Sequence, residues 1–200
     1  MYKGSISIAL LLIFGVSYLY KLYDLKSNSE IEANVLGRGK KDAKLKYTEN
    51  FLRITTSVWI LLWIFSIVFN SYISRFSFRY LNDIYFEIIG LIFTAIGVVF
   101  FELAIYFMKS SWRVGVDRNT RTSLITNGIY KYSRNPAFVG FDLMFIGLFF
   151  TYPNTLSLIV ACCNIVVIHL QIMEEEKFLQ ERFGSEYANY KKSTPRYLFF

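Results

Sequence analysis

Residues able to do chemistry gather in two short stretches of this chain. The first, Thr126-Asn127-Gly128-Ile129-Tyr130-Lys131-Tyr132-Ser133-Arg134-Asn135-Pro136, precedes an apolar run; the second, Glu174-Glu175-Glu176, follows another. Between them lies an apolar hairpin that turns at Pro153-Asn154. If the hairpin crosses a bilayer, both polar stretches return to one membrane face. Three acids at the C-terminal end of a helix would oppose its dipole. The helix is therefore expected to continue amphipathically through Phe178, Leu179 and Phe183 to a stop at Gly184. The glutamates then sit mid-helix at the membrane boundary, where a carboxylate can bind a cationic ligand. His169, Met173 and Glu176 share one face of that helix, and Gln171 and Glu175 share another.

Charged groups inside apolar spans are costly and face a cavity or a partner. Here they are Glu87, Glu102, Asp142 and His169. Glu87 lies near the outer end of its span and can reach the interface. At ~1.5 Å per residue the other three lie roughly 8–11 Å from the same end of their helices. A water-accessible pocket in that layer is the expectation, and a satisfied hydrogen-bond cluster is the alternative.

The elements that must position these groups are membrane helices. The chain has 200 residues, 54% hydrophobic and 19% aromatic, so a single all-α, polytopic integral membrane domain over residues 1–200 is expected. Five spans are read at about Ser5–Tyr20, Ile54–Ile73, Ile84–Met108, Pro136–Tyr152 and Thr155–Met173, with Pro136 at a helix start and an amphipathic cytoplasmic helix at the C-terminus. No small-residue cleavage site follows the first apolar run, so it reads as an uncleaved span. The loops from Lys21 to Arg53 and from Lys109 to Asn135 and the tail after Met173 hold nineteen Lys/Arg; the opposite side holds three. The positive-inside rule then puts the N-terminus outside, and the C-terminus and both polar stretches in the cytoplasm. The segment from Ser27 to Tyr47 is polar and basic and reads as mobile. The net charge of +7 is explained by this topology, with no nucleic-acid-reading motif beside it. One His and the adjacent Cys162 and Cys163 suggest neither a zinc site nor a disulfide framework.

Four elements in order carry a resemblance: Leu124 to Tyr130, Arg134-Asn135-Pro136-Ala137-Phe138-Val139-Gly140, Glu175-Glu176-Lys177-Phe178-Leu179, and Phe183-Gly184-x-x-Tyr187-x-x-Tyr190. Together they resemble the isoprenylcysteine carboxyl methyltransferase family, and the Arg-x-Pro and Glu-Glu elements are shared with the phospholipid N-methyltransferases. The likeness covers residues 111–200; residues 1–110, the N-terminal spans and basic loop, share only hydrophobicity.

The resemblance implies an enzyme that takes S-adenosyl-L-methionine from the cytoplasm and methylates a lipophilic or prenylated acceptor arriving through the bilayer. It implies a cofactor site formed by Thr122, Ser123, Leu124, Ile125, Tyr130, Asn135, Pro136, Ala137, Phe138, Glu175 and Glu176. Arg134, Asn135 and Glu175 are the candidates at the chemistry; Gln171, Asp142, Glu102 and His169, polar groups of the spans, are candidate acceptor-side groups, with Asp142 or Glu102 available to take a proton from an amine or hydroxyl acceptor. Asn135 departs from the family's usual His; it keeps hydrogen-bonding capacity but cannot titrate as an imidazole does. Phospholipid N-methylation, an NADPH-dependent membrane reductase and a non-enzymatic membrane protein stay open as alternatives.

Overall fold

A computed structural model describes residues 2–39, 41–73, 75, 78, 81, 83–118, 120 and 122–199. Six residues of the loop from Ser74 to Asp83, and Lys40, Asn119 and Arg121 of the two basic loops, lie outside the described residues. The helices are α1 (Tyr2–Ser29), α2 (Ala43–Val68), the short α3 (Asn70–Ile73), α4 (Ile84–Met108), α5 (Pro136–Thr151) and α6 (Thr155–Ser193). No β-strand forms among the described residues; one isolated parallel bridge pairs Asn34 with Val114.

Local chemistry sets the helix starts. The Asp42 side chain accepts from the Leu45 N–H at 2.8 Å to cap α2, and Asp83 accepts from Tyr85 N–H at 3.1 Å to cap α4. Pro136 opens α5, where its missing N–H leaves no intrahelical bond unmade. Asn154 and Ser157 form a reciprocal capping box at the start of α6, with bonds of 3.0 and 3.1 Å.

Four helices, α1, α2, α4 with its trailing turn, and α6, are long and apolar enough to cross a membrane. The protein is thus an all-α polytopic integral membrane protein. At 16 residues, α5 rises only about 24 Å against a ~30 Å hydrocarbon core, so it is the shortest of the five expected crossings.

Two boundaries differ from the sequence reading because polar residues extend the helices. α1 continues to Ser29, nine residues beyond Tyr20. α2 begins at Ala43, behind its Asp42 cap, rather than at Ile54, and ends at Val68. The segment from Ser27 to Tyr47 is not a loose tether: Ala33, Leu36 and Leu45 are buried in it, and two backbone bonds tie it to Val114. Gly184 does not stop α6. It adopts φ +51° and kinks the helix, and a second helical stretch runs on to Ser193.

Packing without a hydrophobic drive between helices depends on close contact. α4 and α5 meet glycine to glycine: a Cβ on Gly97 would lie 2.5 Å from the Gly140 carbonyl oxygen, and one on Gly140 would lie 2.6 Å from that of Gly97. Gly90 and Gly147 repeat the arrangement one heptad away along each helix. Aromatic side chains fill the centre. Trp59 meets Phe145 edge-on with centroids 4.9 Å apart, and Phe14 meets Phe101 at 4.9 Å. Glu87, at the opposite end of the bundle from the polar stretches, accepts from the Tyr2 hydroxyl at 2.6 Å and from Lys3 Nζ at 2.5 Å.

Candidate functional site

A cavity of about 390 Å³ sits where α4 ends and α5 begins. That volume is within the range of small-molecule sites, ~300–1,000 Å³. Its polar wall carries Ser111, Arg113, Asp117, Thr122, Ser123, Asn135 and Glu175. Its apolar wall runs into the bundle along Phe14, Tyr18, Trp59, Phe101 and Phe141. Three exposed α2 residues spaced four and three apart, Arg53, Ser57 and Ile60, also line it, so it reaches the outer surface of α2.

The 3₁₀ turn Gly128–Lys131 delivers Tyr130 to this wall. Gly128 holds φ +60°, and the Phe107 ring occupies the place a Cβ would need. The Tyr190 hydroxyl donates to the Tyr130 carbonyl at 2.6 Å, linking the last turns of α6 to the turn before α5. Burial pushes the Tyr130 phenol well above the usual tyrosine range, so it stays protonated.

Asn135 precedes α5 without capping it by its side chain. Its Nδ2 donates instead to Glu176 Oε1 and to the Arg196 carbonyl, both at 3.2 Å. Glu176 is also bound by Arg134 at 2.9 Å and by Arg196 at 2.9 Å. The Glu176 carboxylate beside Arg196 raises that guanidinium above its ordinary value. Arg134 Nη1 reaches the Lys191 and Thr194 carbonyls at 3.3 and 2.5 Å. The C-terminal residues are thereby tied back against the start of α5, and Arg134 is engaged at all three guanidinium nitrogens.

The sequence-derived residues divide accordingly. Thr122 to Ile125, Tyr130, Arg134, Asn135 to Phe138 and Glu175 all meet on the cavity wall. Glu176 does not reach it. One helical residue turns about 100° from the last, which points Glu176 at the arginines and Glu175 at the cavity. Gln171 stands behind the wall and donates to Glu175 Oε1 at 3.0 Å, one helical turn away as their shared face requires. Glu102, Asp142 and His169 are not on the wall either. Helical phase turns them elsewhere: His169 Nδ1 meets the Tyr197 hydroxyl at 2.6 Å, while the Glu102 Oε1 and Asp142 Oδ1 atoms are buried without a hydrogen-bond partner among the described residues. The shared depth of these three groups therefore does not translate into one lined pocket.

Arg113 is the functional candidate that sequence reading passes over. Its side chain is only 6% exposed, pairs with Asp117 at 3.3 Å, and lines the cavity. Nη1 donates to the Ser110 and Trp112 carbonyls, while Nη2 has no partner among the described residues. In the sequence it is one of many basic loop residues, and topology explains those without a site. Glu175, conversely, is a half-buried carboxylate with no lysine or arginine nitrogen in salt-bridge range among the described residues. A carboxylate and a guanidinium on one wall suit a zwitterionic ligand, and no cluster of metal-ligating side chains occurs among the described residues.

Fold and site together define an integral membrane protein with a ligand-sized cavity at one end of its helical bundle. A family model described as phospholipid methyltransferase matches residues 85–186, and the chain belongs to that family. It is 34% identical over 83 residues to the protein-S-isoprenylcysteine O-methyltransferase of Schizosaccharomyces pombe, covering 41% of this chain and 35% of the relative. It is 30% identical over 112 residues to the enzyme of that name from Xenopus laevis, covering 54% and 39%. A probable protein-S-isoprenylcysteine O-methyltransferase of Oryza sativa subsp. indica is 30% identical over 105 residues, covering 51% and 55%. The chain thus spans about a third to a half of the length of these relatives.

Proposed function

We propose that this protein is a methyltransferase that takes S-adenosyl-L-methionine from the cytoplasmic face and methylates a lipophilic acceptor, a prenylated cysteine carboxylate in the first instance. The observation that carries the reading is convergence. Thr122 to Ile125, Tyr130 and Asn135 to Phe138, around the start of α5, and Glu175, far along the next helix, line one cavity. The names of the relatives supply the acceptor class.

The residues present fit the cofactor. Glu175, lacking a cationic partner, would hold its ammonium group through a charge-assisted bond. Arg113, with Nη2 unpartnered among the described residues, would hold its carboxylate. Tyr130 and Phe138 would offer aromatic faces to a sulfonium or an adenine. When bound, S-adenosylmethionine supplies an electrophilic methyl group on sulfur. The protein's own contribution is then to orient the acceptor and exclude water. Phe14, Trp59, Phe101 and Phe141 keep the inner wall dry and suited to an aliphatic chain.

A carboxylate acceptor needs no general base, whereas an amine or hydroxyl must lose a proton. Asp142 and Glu102, the groups the sequence offers for that task, stand off the wall, which favours the carboxylate. Phospholipid N-methylation is the second reading, favoured by the description of the matching family. Carboxyl methylation gives base-labile esters and N-methylation does not, so alkaline treatment of labelled product separates the two.

Calorimetric titration of purified protein with S-adenosylhomocysteine tests the cofactor. Saturable binding is expected, weakened at least ~10-fold, about 1.4 kcal/mol, in Glu175→Gln. Well-folded wild-type protein that binds neither S-adenosylmethionine nor S-adenosylhomocysteine would sink the reading.

A further inference from the structure

One side of the cavity comes from outside residues 85–186. Asn34 and Leu36, in the connection between α1 and α2, line it beside Val114, Gly115 and Val116. The two segments are laced together by their backbones: Val35 N–H donates to Val114 O at 3.0 Å, and Val114 N–H donates to Ala33 O at 2.8 Å.

Beneath both lies Glu49, near the start of α2, with none of its surface exposed. Oε2 accepts from the Gly37 N–H at 2.7 Å and from Lys41 Nζ at 2.6 Å. Oε1 accepts from the Val116 N–H at 2.8 Å. Lys41, 4% exposed, also donates to the Val35 carbonyl at 2.8 Å. A single carboxylate therefore takes donors from both segments of the wall. Burying that charge is unfavourable unless its hydrogen bonds are made, and those bonds exist only while both segments are closed against α2.

We propose that Glu49 is a positioning residue: it latches residues 33–39 and Lys41 against residues 114–116 to complete the ligand cavity, so ligand affinity depends on the latch. This rests on the cavity being the S-adenosylmethionine site. Glu49 itself touches no ligand in this scheme; it acts through Asn34, Leu36 and the 114–116 backbone.

The test combines calorimetry with hydrogen exchange on the full chain in detergent, using Glu49→Gln and, as a second variant that removes the Lys41 bonds to Glu49 and Val35 but leaves the Gly37 and Val116 donors to Glu49, Lys41→Met. Exchange is expected to rise in peptides covering residues 33–41 and 112–118 while α4 and α5 stay protected. S-adenosylhomocysteine affinity is expected to fall at least ~10-fold in Glu49→Gln and less in Lys41→Met. In wild type, the ligand should slow exchange in residues 33–41, a response that a purely structural staple would not produce. Variants that open these segments yet bind as tightly as wild type would overturn the latch alone, as would variants whose exchange does not change. If Glu49→Gln does not fold, the same criteria applied to Lys41→Met decide the matter. Wild type that binds no S-adenosylhomocysteine defeats the methyltransferase reading and the latch with it.

Discussion

At the scale of single residues, neighbouring acids have separate tasks. Glu174 pairs with Lys44 at 2.5 Å, Glu175 faces the cavity, and Glu176 gathers Arg134, Arg196 and Asn135. The 100° step of a helix is enough to separate them. Asn135 fits this arrangement as a donor: its amide bridges Glu176 and the Arg196 carbonyl, a task that needs no titrating ring. Packing alone does not account for Arg113, because a buried guanidinium nitrogen without a partner among the described residues costs free energy. If it holds the cofactor's carboxylate, Arg113→Met should weaken S-adenosylhomocysteine binding ~10- to 100-fold, by about 1.4–2.8 kcal/mol. Binding of methylthioadenosine, which lacks the amino-acid moiety, should be almost unchanged. Equal losses for both ligands would point to collapse of the wall instead.

Among the elements, the pairing of α4 with α5 does most to place the cavity, since it sets the end of one helix beside the start of the other. Backbone-to-backbone approach at Gly97 and Gly140 leaves no room for a methyl group. Gly97→Ala or Gly140→Ala should lower the thermal midpoint in detergent, with a cost of roughly 1–3 kcal/mol from overpacking. Gly15→Ala is the matched control, because nothing lies within 4 Å of its would-be Cβ and the helix itself favours alanine. A midpoint unchanged in the α4 and α5 variants would show that the two helices separate without strain. The kink of α6 at Gly184 acts at the same scale. Beyond it, Tyr190 in the final stretch reaches the Tyr130 carbonyl.

For the whole molecule, charge asymmetry predicts the orientation. With Cys162 and Cys163 replaced by alanine, Lys192→Cys should react with an impermeant thiol reagent only after the membrane is opened, and Arg75→Cys should react in intact cells. The reverse pattern would put the cavity on the outer face. The helical architecture was readable because long apolar runs report directly on a bilayer, and α4 begins and ends where its hydrophobic run does, at Ile84 and Met108. Helix ends set by polar residues were less readable: α2 starts eleven residues before Ile54 because Asp42 caps it.

The amino-acid sequence alone determined the membrane character and the hairpin between the polar stretches, since these depend on local hydropathy and turn residues, while the candidate residues from Thr122 to Phe138 and at Glu175 were implied by the family resemblance that their motifs carry. Tertiary structure decided which of the candidates meet. Depth along a helix can be counted from sequence, but the direction a side chain faces depends on which neighbour the helix packs against. For that reason Glu102, Asp142 and His169 fell away from the cavity wall, and Glu176 turned to the arginines. The wall built from Asn34, Leu36 and Val114 on the latch at Glu49 was invisible for the same reason: its bonds join residues as distant in sequence as Ala33 and Val114, and only a folded chain brings them within 3 Å.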